Sequence, residues 1–122
     1  MSTGTEKFNK KYTEVVKTIK KNFADLKAGE RILISSPRSI ANYVAKIPYG
    51  TKKSVKLMRR ELAENANADN TCPLTCGIFL RIAIEASIEQ SNGAKPDLPF
   101  WRVIAINSSL TKKITNFREI PD

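Results

Sequence analysis

The chain has 122 residues, 41% of them hydrophobic, and sets 21 Lys and Arg against 12 Asp and Glu with no histidine, for a net charge of +9. This length supports one domain with a real core and is short for two, and the apolar fraction with mixed charge excludes a disordered chain. The longest apolar runs, such as Gly77 to Ile84 with Arg81 inside it, fall far short of the ~20 residues a bilayer span requires. The N-terminus has no apolar signal segment either, so the expectation is a soluble cytoplasmic protein with no membrane partner.

In chain order, Phe8, Tyr12, Val15, Val16, Ile19, Phe23 and Leu26 recur at helical spacing from Glu6 to Ala28, with lysines between them. The spacing predicts one long amphipathic helix closed by Gly29. Residues 1–30 are thus expected as a helix packed on a core formed by residues 31–122, the other uses of its stripe being docking of a partner or a second copy, or lying on an anionic membrane surface. The run Ile32-Leu33-Ile34 reads as a strand or as an extended entry. Ser36 offers an N-cap with Pro37 at the first helical position, and Ile40, Tyr43, Val44 and Ile47 form a stripe that ends at Pro48. Gly50 breaks the chain, and Ser54 caps a second helix bearing Val55, Leu57, Met58 and Leu62. Residues 65–70 read as a polar turn.

A third helix follows Thr71 to Thr75, with Ile78, Phe79, Ile82, Ala86 and Ile88 facing inward, and ends before Gly93. Residues 93–97 form a loop, after which Trp101 to Ile106 and Leu110 to Ile114 read as two strands of a C-terminal hairpin. Three helices followed by a small hairpin is the order of a winged helix. The expected fold class is therefore α+β: a small, mainly helical winged-helix-like domain with a C-terminal β-hairpin and an added N-terminal helix.

The distribution of charge says more than its sum. From Arg31 to Arg60 there are eight basic residues and no Asp or Glu. Such a segment favours a polyanionic partner, since each neutralised phosphate releases condensed counterions; the alternative is a solvated basic surface.

Ile47-Pro48-Tyr49-Gly50 and, about fifty residues later, Pro99-Phe100-Trp101-Arg102-Val103-Ile104 resemble two landmarks of the DNA-binding domain of alkylguanine-DNA alkyltransferases, an I-P-x-G turn and a P-C-H-R-V-I box. The resemblance runs from about Ser36 to Leu110. The stretch from Asp69 to Ala86 is similar to a small bacterial subgroup of this fold lacking the Cys-His active-site pair. In this chain the methyl-accepting cysteine is replaced by Phe100 and its histidine by Trp101. The family's nucleotide-rotating Tyr falls at Val55, and its base-stack Arg falls near Leu74. A phenyl ring accepts no alkyl group and an indole N–H has no basic nitrogen. The resemblance therefore implies a scaffold without its chemistry.

Catalysis has little other support. With no histidine, acid–base work falls to carboxylate, Lys, Tyr or Cys, and none forms a recognisable dyad. Cys72 and Cys76 at a helix start are candidate reactive thiols or, alternatively, small packing residues, and they are too few for a closed zinc site. No cofactor and no metal are expected. Pro99, Phe100, Trp101 and Arg102 either line a remnant pocket or fill it as core, and Arg102 pairs with a carboxylate or binds backbone carbonyls. The expected activity is non-enzymatic binding of DNA, with RNA as the alternative polyanion, through phosphate contacts. Its candidate residues are Arg38, Lys52, Lys53, Lys56, Arg59, Arg60 and Arg81, joined by Lys112 and Lys113. The other reading is a protein-interaction module that kept the fold without DNA binding, motivated by the N-terminal stripe and by a third helix with Glu85 and Glu89 against Arg81 alone.

Overall fold

Two serine caps organise the centre of the molecule. The Ser36 hydroxyl accepts from the Ser39 amide and starts α2 (Pro37–Ala45), with Pro37 where no N–H is needed; the Ser54 hydroxyl accepts from the Leu57 amide and starts α3 (Val55–Asn65). The computed structural model describes residues 3–91 and 97–103. Over these it is an α+β protein in the order α1 (Gly4–Asn9), β1 (Val15–Thr18), β2 (Arg31–Ile34), α2, α3, β3 (Asn70–Thr71), α4 (Pro73–Ser91) and a 3-10 turn at Phe100–Arg102. The polar turn after α3 passes through Asn67 at φ 57, a left-handed conformation that Asn tolerates.

Ile32-Leu33-Ile34 is a strand, and β2 is the middle of a three-stranded sheet ordered β1-β2-β3, antiparallel to β1 and parallel to β3. Leu33 turns into a core shared by Ile40 and Val44 of α2, Met58 and Leu62 of α3, and Cys76, Leu80, Ala83, Ile84 and Ile88 of α4. Leu98, Phe100 and Trp101 complete it. Phe100 is fully buried and Trp101 5% exposed, their rings edge to face with centroids 5.3 Å apart. Each contributes about 1.5–3 kcal/mol by leaving water. Phe100 and Trp101 are thus core, and the strand expected from Trp101 begins instead with a 3-10 turn. The remainder of the predicted hairpin, from Ile104, lies outside the described residues, as do Lys112 and Lys113.

The N-terminal helix expected over residues 6–28 is not there. α1 ends at Asn9, with Lys10 already extended, and Val15 to Thr18 pair with Ile34 to Arg31 as a hairpin. Two causes favour the hairpin. A single helix would stack Lys7 on Lys10 and Lys11, and Lys17 on Lys20 and Lys21, at the i,i+3 and i,i+4 spacings where like charges repel. An unpaired β2 would also leave the backbone groups of a buried apolar strand unsatisfied, and β-branched Val15 and Val16 suit the pairing that satisfies them. Leu26, 2% exposed, pins the connecting loop to the body, while Phe23 across a β-bridge is 48% exposed.

The remaining short helix packs on α4 at very close range. A Cβ at Gly4 would lie 2.7 Å from the Cβ of Glu85 and 3.0 Å from the Ala86 amide nitrogen. Glu89 closes this contact by accepting from the Gly4 and Thr5 amides at 2.8 and 2.9 Å and from the Thr5 hydroxyl at 2.8 Å. Among the described residues no helix is long and apolar enough to cross a membrane.

Candidate nucleic-acid interface

The acid-free stretch in sequence is not acid-free in space. Arg59, only 7% exposed, donates Nη1 and Nη2 to the two carboxylate oxygens of Asp25 at 3.0 and 2.8 Å and Nε to the Thr71 carbonyl at 3.0 Å. The Thr71 hydroxyl returns a bond to the Arg59 carbonyl at 2.6 Å. The Arg59 hydrogen bond, with the charges of Arg59 and Lys56 behind it, holds the Asp25 carboxyl below its usual range despite the opposing effect of burial. Arg59 therefore locks the β1–β2 loop and β3 onto α3 and presents no face to a phosphate, which removes it from the candidate binding residues.

Lys53 is partly committed as well. Its ammonium bonds Glu61 at 3.1 Å and lies 5.4 Å from the centre of the Tyr43 ring. Tyr43 also donates to Glu61, at 2.5 Å. These bonds, Tyr43 first, hold the Glu61 carboxyl low, whereas burial and then the Glu61 contact push the Tyr43 hydroxyl well above its ordinary range. Beside this group a cavity of about 420 Å³ opens between β2, α2 and α3, with Glu14, Asn42, Tyr43, Lys46 and Lys53 in its wall. Glu14 there accepts from the hydroxyls of Ser36 and Ser39 at 3.1 and 2.6 Å.

Lys52, Lys56 and Arg60 remain. All three are exposed, and among the described residues none takes part in the three ion pairs. Lys56 and Arg60 lie one turn apart on the outer side of α3, and Lys52 stands just before its cap. The turn that delivers Lys52 is tightly built. The Thr51 amide closes onto the Pro48 carbonyl at 3.0 Å, with Gly50 at φ 79 in the third position, where a type II turn requires a positive value. Arg102 donates to the Ile47 carbonyl at 2.8 Å, and its own carbonyl accepts from the Lys53 amide at 2.8 Å. Arg102 thus takes the backbone-carbonyl role and ties the two sequence landmarks together.

Arg38 and Arg81 lie elsewhere and are engaged. Arg38 of α2 sits 4.9 Å from the centre of the Phe8 ring, and Arg81 of α4 pairs with Glu85 at 2.6 Å. Of the candidate thiols, Cys76 is fully buried, and burial raises its pKa to about 11, so it is a packing residue rather than an activated nucleophile. Cys72 is half-buried. Phe100 and Trp101 are buried in the core and do not line the cavity between β2, α2 and α3.

Sequence reasoning passed over Asp25 and Glu61, whose partners are 34 and 8 residues away. It also used Tyr49 only as a landmark, although Pro-Tyr-Gly is itself a turn signal that puts the middle side chain outside. No protein-family model, curated protein or solved structure matches the chain.

Proposed function

We propose that the protein is a non-enzymatic nucleic-acid-binding domain of winged-helix type, related to the alkyltransferase DNA-binding domain, that holds its ligand through the phosphate backbone. The observation that carries this reading is the surface formed by Lys52, Lys56 and Arg60. These cations are exposed and take part in none of the three ion pairs among the described residues, while Asp25 and Glu61 pair with Arg59 and Lys53. Cations of this kind release counterions when they meet phosphates and position nucleic acid without reading its sequence. The three helices in their expected order and the bond from Arg102 to the Ile47 carbonyl are consistent with the scaffold that the I-P-x-G and P-x-x-R-V-I motifs imply. Phe100 and Trp101, buried where that family keeps its cysteine and histidine, support a binding role without alkyl transfer.

Fluorescence-anisotropy titration at two salt concentrations tests the reading. Wild type should bind, with affinity falling steeply as salt rises. The triple reversal Lys52→Glu, Lys56→Glu, Arg60→Glu should weaken binding at least tenfold and flatten the salt slope by about 2.7, at ~0.9 per duplex phosphate contact. Equal affinity for wild type and triple variant removes this surface.

The protein-interaction reading gains one specific support, the apolar pair Leu74 and Ile78, 60% and 49% exposed one turn apart on α4, where Ile78 was expected to face inward. Its former support, a free N-terminal stripe, is gone, because α1 is docked on α4.

A further inference from the structure

Tyr49 stands out on this surface. It is 75% exposed, the most exposed of the large hydrophobics among the described residues, yet the turn that carries it is tied down on several sides. Ile47, 3% exposed, anchors one side of the turn, the Thr51 amide closes it on the Pro48 carbonyl, and Arg102 grips it from below through the Ile47 carbonyl and the Lys53 amide. The Arg102 guanidinium carbon lies 5.6 Å from the centre of the Tyr49 ring, within cation–π range, and so backs the ring from one side. With three-quarters of the residue in solvent, the other face of the ring is open. Lys46 and Lys52, both exposed and outside the three ion pairs among the described residues, stand three residues to either side. Chain geometry keeps their Cα atoms within about 11 Å of that of Tyr49.

An open aromatic face flanked by exposed cations has one natural ligand class. An intact duplex buries its base faces in the stack and offers only phosphates and groove edges, whereas a single strand offers a base face and a phosphate within one nucleotide. Tyrosine suits the task because its two side-chain torsions lose little entropy on contact. We propose that Tyr49 is a stacking platform for an unpaired base, so that this surface takes single-stranded nucleic acid in preference to intact duplex, with Lys46 and Lys52 holding the flanking phosphates. This rests on the nucleic-acid reading above and adds the strand class to it.

The test compares wild type, Tyr49→Ala, Tyr49→Phe and the Lys52/Lys56/Arg60 triple reversal on a twelve-nucleotide single strand and on the matching blunt duplex, in deoxy and ribo forms, at one low salt concentration. Wild type should favour the single strand. Tyr49→Ala should lose about tenfold on the single strand and stay within about twofold on the duplex, as removal of one stacking partner predicts. Tyr49→Phe should bind like wild type, and a 2-aminopurine placed mid-strand should be quenched by wild type but not by Tyr49→Ala. The deoxy and ribo arms distinguish the two sources of such a strand. If Tyr49→Ala matches wild type on the single strand, or loses equally on both ligands, the platform is refuted while the basic surface stands or falls by the triple variant. If wild type binds neither ligand, both proposals fail together.

Discussion

Replacing Arg59 by Met would keep most of the apolar stem and remove the guanidinium, and its cost follows from the bonds described above. The buried Thr71 carbonyl loses its Nε–H donor, at about 1–3 kcal/mol for an unsatisfied buried acceptor. The ion pair with Asp25 adds less than its bidentate geometry suggests, because the Asp25 side chain is 43% exposed and recovers water; about 0.5–1 kcal/mol is the appropriate discount. The sum is about 1.5–4 kcal/mol, or about 1–2 M in urea midpoint for a chain of this size. The buried Trp101 supplies the fluorescence signal for the titration. Asp25→Asn should cost less than half as much, since it leaves the Thr71 bond in place. A midpoint shift under about 0.3 M for Arg59→Met, or an equal shift for Asp25→Asn, would refute the view that the buried carbonyl dominates. The result also bears on function, because a binding defect from substituting Arg59 would report unfolding rather than a lost phosphate contact.

Gly4→Ala should destabilise by about 1–3 kcal/mol and deprotect the amides of residues 4–9 to hydrogen exchange, because its Cβ would collide with the Glu85 Cβ and the Ala86 backbone; a gain in stability would show that α1 does not dock as described. Cys76 in a Cys72→Ala background should react with a thiol reagent only at the rate of unfolding, given its burial and a pKa raised to about 11, and prompt labelling of the native protein would overturn its packing role. Asp25, Glu61 and Glu89 have carboxyls held below the usual range: Asp25 by Arg59, Glu61 by Tyr43 and Lys53, and Glu89 by the Thr5 and Gly4 bonds, which together outweigh its burial. Such groups stabilise above the unfolded-state pKa, near 4, and lose that contribution as pH falls through their lower folded values. The urea midpoint should therefore hold between pH 7 and 5 and decline below about 4, with Asp25→Asn showing a shallower decline; a midpoint that rises on acidification to pH 3.5 would contradict the sign.

The parts of this molecule that could be read from the amino acids are those whose causes are local. Ser36 with Pro37, and Ser54 before an amphipathic run, announce helix starts because a cap needs only a side chain and an amide three residues on. The strand at Ile32 to Ile34 and the turn at Gly50 belong to the same class. The first thirty residues show the opposite case, for Phe8, Tyr12, Val15, Val16 and Ile19 satisfy a helical period just as well as they satisfy a short helix followed by a strand. What decided between them was the need of β2 for a partner across the β1–β2 loop, a long-range demand that no window of periodicity contains. The basic surface divides along the same line. That the stretch from Arg31 to Arg60 is basic is a property of composition, but which of its cations face solvent depends on where the carboxylates arrive. Asp25, reaching back 34 residues, takes Arg59 out of solution, Glu61 takes much of Lys53, and Lys52, Lys56 and Arg60 are left in water because the fold brings no acid to them in any of the three ion pairs among the described residues. Charge is a sum over the chain, whereas an electrostatic surface is what remains after folding has paired the charges, and pairing over a few ångströms is settled only when distant segments pack.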